Sequence, residues 1–371
     1  MSINDRDNIK LRPSKRMPIR KFKSKRKFPT GPVLTAIVAL LAVVCIASAI
    51  AVCVKNGYFK FGGGESTTDA GVNTSEITTA PETTEPETTD PPETEPSFTE
   101  NPNGIEYKVT EMPWTTVKKG DLVLINAEYE YSFPTFPESQ KIISLYGNKS
   151  SSYVLRDVSI SLRTDVIKAL DNMLDAFKKE KGVGNVMVYN AYRSYQDQDK
   201  SYKNYVKNNG QEEADKYSAL PGHSDYHSGA SFELRYLVDG ANYPLNSKPE
   251  YTWLVDNMHK YGFILRYPTD KASVTGNDFE PFHFRYVGQL HASLMKQYDL
   301  CLEEYLSYLK QYTYSGKHLD VTVAGIKYEL YYVGTSNGNP IDLPLPTNYP
   351  YTISGDNMNG VIVAAEIGKA A

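Results

Sequence analysis

Cysteine is scarce in this chain of 371 residues. There are three, of which Cys45 and Cys53 sit in one apolar run and only Cys301 lies beyond it. A disulfide framework is therefore excluded. Acid is nearly missing from residues 1–30, which hold 11 Lys and Arg against 2 Asp. Base is missing from residues 62–104, which hold 10 Asp and Glu. The overall net charge of −4 conceals this asymmetry. Because the basic excess belongs to a tail, the composition argues against a nucleic-acid-binding surface spread over the chain. Charge of either sign is missing from residues 33–54, VLTAIVALLAVVCIASAIAVCV.

At 1.5 Å per residue, a helix over those 22 positions spans the ~30 Å hydrocarbon layer. It has no polar stripe, as a buried amphipathic helix would, and it exceeds the length of a signal h-region. The sequence thus predicts a single transmembrane helix at 33–54, with residues 1–32 as a basic cytoplasmic tail by the positive-inside rule. Residues 55–104, with repeats such as PETTEPETTDPPETEP, predict a disordered Thr/Glu/Pro-rich linker outside the membrane.

Beyond the linker, periodicity predicts a folded part from Ile105. Val166, Ile167, Leu170, Met173, Leu174 and Phe177 mark a helix over 164–181, stopped by Gly182. Val186–Asn190, Ser231–Tyr236 and Phe282–Tyr286 read as strands. Residues 196–209, 253–261 and 288–312 read as helices. Residues 313–371 switch to β-branched and aromatic alternation, a β-rich segment that is either an extension of the main domain's packing or a separate module. The 28 tyrosines after residue 104 are accounted for by this β and loop composition.

Chemistry concentrates in two segments. Of the six histidines, His259, His291 and His318 occupy unremarkable contexts. His223 and His227 fall in LPGHSDYHSGASFEL (220–234), and His283 falls in NDFEPFHFRYVG (277–288). Glu280 and His283, three apart around Pro281, can aim a carboxylate and an imidazole into one cleft, as a general base beside a metal-bound water requires.

The order YRSYQDQ (192–198), PGHSDYHSGASFEL (221–234), YGFILRYPTDKASVTG (261–276) and EPFHFRYVG (280–288) resembles the D-alanyl-D-alanine carboxypeptidases of the VanY type over about residues 114–300. The resemblance implies an α+β fold for residues 105–312, a small antiparallel sheet with flanking helices, and a zinc enzyme trimming D-Ala from peptidoglycan stem peptides. It implies a bacterial, wall-facing location for everything after the membrane span. Arg193 and Gln198 match the family's substrate-binding Arg and Gln, where a guanidinium clamps a carboxylate or oxyanion. Ser224 anchors the middle motif, Glu280 matches the catalytic base and His283 matches the last zinc ligand. The other two ligand positions, His and Asp in the family, fall on Tyr226 and Glu233. A phenol must ionise to bind zinc well, so either His227 or His223 substitutes through a bulge or metal ligation is impaired. Two functions are expected: a zinc carboxypeptidase with altered ligation, or a non-catalytic peptidoglycan-binding or regulatory protein on the same scaffold.

Overall fold

The computed structural model describes residues 102–336 and 338–370. The basic tail 1–32, the apolar span 33–54 and the linker up to residue 101 lie outside the described residues.

In chain order the strands are β1 (Tyr107–Met112), β2 (Ile142–Ser144), β3 (Val154–Leu155), β4 (Ser161–Arg163), β5 (Val186–Asn190), β6 (Ser231–Val238), β7 (Ala241–Pro244), β8 (Phe263–Leu265), β9 (His283–Tyr286), β10 (Leu319–Val323), β11 (Ile326–Gly334), β12 (Ile341–Pro346), β13 (Tyr351–Gly355) and β14 (Gly360–Lys369). The helices that matter for the site are α1 (Thr164–Lys181), α2 (Tyr195–Asn209), α3 (Gln211–Tyr217) and, after β9, α4 (Gln289–Tyr298) and α5 (Leu302–Leu309).

α1 forms as its apolar spacing dictates. Its six apolar core residues are all buried, and Gly182 ends it with φ 71°, a left-handed conformation that costs glycine nothing. The buried stripe of α1 packs on Val186, Val188, Phe232, Leu234, Phe263 and Phe284, which line one face of the sheet β3-β5-β6-β9-β8. β7 is a short sixth strand paired to β6.

The expected architecture, one small antiparallel sheet with flanking helices behind a transmembrane helix, is corrected by this arrangement. The main sheet is mixed, because β3 runs parallel to β5. A separate antiparallel sheet, β10-β11-β14-β13, forms the C-terminal region, and β2-β4 and β1-β12 make two further pairs. Among the described residues no helix is long and apolar enough to cross a membrane. The helix expected over 288–312 is two helices, because Asp299 takes a left-handed φ of 52° and breaks it.

The C-terminal sheet shares a core with the rest of the folded part. Leu319, Leu330, Tyr332 and Ile362 pack with Leu122, Leu124, Ile264, Val287, Leu302 and Leu306. Backbone pairing supports this: Leu124 N–H donates to the Asp356 carbonyl (3.2 Å), and β1 pairs along its whole length with β12.

Candidate active-site cleft

The site is assembled from three chain segments that converge on a cleft of about 720 Å³. The first is the connection from β5 to α2. Ser194 caps α2 by accepting the Asp197 N–H at 3.1 Å, which fixes the residue before it, Arg193, at the cleft wall. Arg193 is half-buried, and its Nη1 donates to Gln198 Oε1 at 3.1 Å. Gln198, buried in the first turn of α2, is itself held by donating to the Ala219 carbonyl at 2.7 Å. The guanidinium keeps further N–H groups for a ligand.

The second segment is the single 3-10 turn Asp225–Ser228, closed by Gly229 at φ 63°. It carries Tyr226 into the cleft, while Ser224 lines the same wall. The third is the β6-β9 pair, in which Glu233 stands directly opposite His283. Directly opposed residues on one face bring their Cβ atoms to about 5 Å, so these two side chains must meet.

Tyr226, Glu233 and His283 therefore come together, and the groups bond to one another. The Tyr226 hydroxyl donates to Glu233 Oε1 (2.9 Å) and lies 3.4 Å from His283 Nδ1. The phenol stacks on the imidazole with centroids 4.7 Å apart and planes 10° apart. Glu280 Oε2 is 3.0 Å from His283 Nδ1. Burial, reinforced by the charges of Glu233 and Glu280, pushes the Tyr226 pKa well above the ordinary phenol value.

That chemistry does not fit a tightly held zinc ion. A phenol kept protonated by its surroundings, its O–H already donated in a hydrogen bond to Glu233, is a poor metal ligand at the place where a neutral imidazole would serve. Among the described residues no group of three or more His, Cys, Asp and Glu side chains is disposed to hold a metal. His227 does not stand in. Its Nε2 accepts the Gly222 N–H (3.0 Å), so its Nδ1 carries the proton and donates to the Arg193 carbonyl (2.7 Å). Its ring faces a second hollow, 4.8 Å from Phe133. His223 lines the cleft, with Nδ1 2.8 Å from the Asn126 carbonyl.

Beneath the cleft lies a charge cluster that motif reading missed. Asp225, fully buried, accepts hydrogen bonds from Ser231 Oγ and Arg285 Nη1, and Arg266 Nε is 3.7 Å away. Arg285 also donates to the carbonyls of Asp121 (3.0 Å) and Val123 (3.1 Å), and Arg266 forks onto Glu303 (3.0 and 2.7 Å). Burial disfavours the Asp225 carboxylate, but Arg285, His283 and Arg266 more than offset this and hold its pKa far below the usual range. His283 Nε2 is 3.4 Å from Asp225 Oδ2, within ion-pair reach though outside hydrogen-bond geometry. A signal was present: His283 and Arg285 alternate along β9 and so share a face.

Comparison with known proteins bears on the same residues. The family model for the VanY-type D-alanyl-D-alanine carboxypeptidase matches residues 159–289. The chain is 34% identical over 254 residues to a D-alanyl-D-alanine carboxypeptidase of Enterococcus faecium, covering 68% of this chain and 77% of that protein. It is 31% identical over 159 residues to the bifunctional D-Ala-D-Ala dipeptidase and carboxypeptidase VanXYC of Enterococcus gallinarum, covering 42% and 82%. Among solved structures, the vancomycin-resistance D,D-dipeptidase VanXYg in complex with a D-Ala-D-Ala phosphinate analogue superposes with a TM-score of 0.58. That match has 27% identity and covers 70% of this chain and 99% of the other.

Proposed function

The chain belongs to the VanY family of D-alanyl-D-alanine carboxypeptidases, and from that membership we propose that it binds peptidoglycan stem peptides ending in D-Ala without hydrolysing them appreciably. The observation that carries this reading is the Tyr226 hydroxyl, hydrogen-bonded to Glu233 at 2.9 Å within 3.4 Å of His283 Nδ1. Hydrolysis in this family needs a metal-polarised water and a carboxylate free to take its proton. Here Glu280 is engaged with His283 instead. Binding does not need the metal. Arg193, braced by Gln198, offers parallel N–H groups to a terminal carboxylate, a charge-assisted pairing worth about 1.5–3 kcal/mol. A ligand of this class supports a working position at the cell wall.

A second reading, a zinc hydrolase with impaired ligation, draws on one observation. Glu233 Oε2 is buried without a hydrogen-bond partner, with Arg235 Nη2 at 3.5 Å. In that reading His283, Glu233 and an ionised Tyr226 hold the zinc, and Glu280 is the base.

Titration calorimetry of the full chain with diacetyl-L-Lys-D-Ala-D-Ala tests the proposal. Saturable binding is expected, weakened roughly ten- to a hundredfold by Arg193→Ala. Absence of binding, or binding indifferent to Arg193, overturns it.

A further inference from the structure

Tyr226 does more than displace a metal ligand. The Arg193 guanidinium lies over the Tyr226 ring, 4.9 Å from its centroid, and the Arg193 backbone N–H donates to the Tyr226 carbonyl at 3.4 Å. The ring is itself immobilised: its hydroxyl is tied to Glu233, its face stacks on His283, and His283 meets the edge of Tyr267 at 5.0 Å. Tyr226, His283 and Tyr267 are all buried, so this is a rigid aromatic platform with a half-buried cation resting on it.

We infer that Tyr226 is a positioning residue that presents the Arg193 guanidinium to the terminal carboxylate of the ligand. The inference rests on the binding role proposed above. An arginine side chain loses much rotamer freedom when it clamps a ligand, and that loss weakens binding. A guanidinium held beforehand over an aromatic face, with Gln198 fixing its far end, has already lost that freedom. The ring's electron-rich face, rather than the hydroxyl, supplies the attraction. The position that holds a metal-binding imidazole in the family pattern thus serves carboxylate capture here.

The test uses the full chain, diacetyl-L-Lys-D-Ala-D-Ala and the C-terminal amide of the same peptide. Tyr226→Phe keeps the ring and is expected to bind the acid within about threefold of the unmodified chain. Tyr226→Leu keeps apolar bulk without the ring and is expected to weaken acid binding about tenfold or more and amide binding by a clearly smaller factor. In an Arg193→Ala background, Tyr226→Leu is expected to add nothing, because the two residues act through one contact. Independently of any ligand, NMR with selectively labelled arginine should show a ring-current shift of the Arg193 side chain, retained in Tyr226→Phe and lost in Tyr226→Leu. The inference is overturned if Tyr226→Leu weakens acid and amide alike, if its effect adds fully to that of Arg193→Ala, or if the Arg193 resonance does not move. Failure of the unmodified chain to bind the acid would instead overturn the binding role, with the ring-current comparison still deciding the positioning.

Discussion

His283, in the cleft, and His291, in the core beneath the C-terminal sheet, are both buried imidazoles, yet their surroundings shift their pKa values in opposite directions. Burial alone pushes an imidazole toward its neutral form. His291 shows that effect nearly unopposed: its pKa is pushed down to about 4, with the charge of Asp121 offsetting only part of it, and its Nδ1 pairs with the Tyr305 hydroxyl at 2.8 Å. At His283 burial acts in the same direction, but the carboxylates of Asp225 and Glu280 more than offset it and hold the pKa up at about 9. Asp225 and Glu280 thus favour the protonated form of His283 in a buried place. The C-terminal core, packed from aliphatic and aromatic side chains around His291, holds two parts of the chain together.

The largest effect should come from breaking the second region. Ending the chain after Gln311 removes Leu319, Leu330, Tyr332 and Ile362 from the core they share with Leu122, Leu124 and Leu306, and removes the partner of β1. Loss of the cooperative thermal transition is expected. A truncated chain that still unfolds cooperatively would make the C-terminal sheet an appended module.

In the cleft, Asp225→Ala leaves Arg285 without its buried counter-charge and strips His283 of one of its two acids. A loss of about 3–5 kcal/mol in chemical denaturation is expected.

The two histidines sharpen the contrast through pH. For His291 the folded pKa lies below the ordinary 6.5, so the unfolded chain binds the extra proton. Its stabilising contribution is present above pH 6.5 and is lost as pH falls through 4, about 3 kcal/mol across the window. For His283 the folded pKa lies above 6.5, so its contribution is present below pH 6.5 and lost as pH rises through 9, again about 3 kcal/mol. Denaturation midpoints from pH 4 to 9 should show both limbs. His291→Asn should flatten the acid limb alone, and a parallel shift of the whole profile would contradict the assignment.

The smallest effect concerns the brace of Arg193. Ser194→Ala removes the cap of α2 and should cost about 1 kcal/mol of stability, read from the thermal midpoint.

Much of this molecule was legible in its sequence because it is locally determined. α1 and its Gly182 stop follow from apolar spacing and backbone permissiveness, and the two dense motifs put the cleft residues in order. What escaped depends on long-range pairing or very short segments. β3 has two residues, too few for a period, so its parallel pairing with β5 left no trace. β1 and β12 pair across most of the folded chain, which no local pattern encodes. The break at Asp299 needed a left-handed residue that is not glycine. His227 stood one place from a ligand position and looked available, but the tight turn ending at Gly229 commits both of its ring nitrogens to backbone groups. Asp225, Arg266 and Arg285 come from three separate segments, and only the fold makes them neighbours.

The central claim is that hydrogen bonds and a proton occupy the place of the family's metal, and zinc content measured with D-Ala release tests it most directly. The full chain, equilibrated with zinc and then freed of excess, is expected to retain well under one ion per chain and to release no D-Ala from diacetyl-L-Lys-D-Ala-D-Ala. The double substitution Tyr226→His with Glu233→Asp is expected to gain both. One zinc per unmodified chain, with D-Ala release that Glu280→Ala abolishes, would contradict the account.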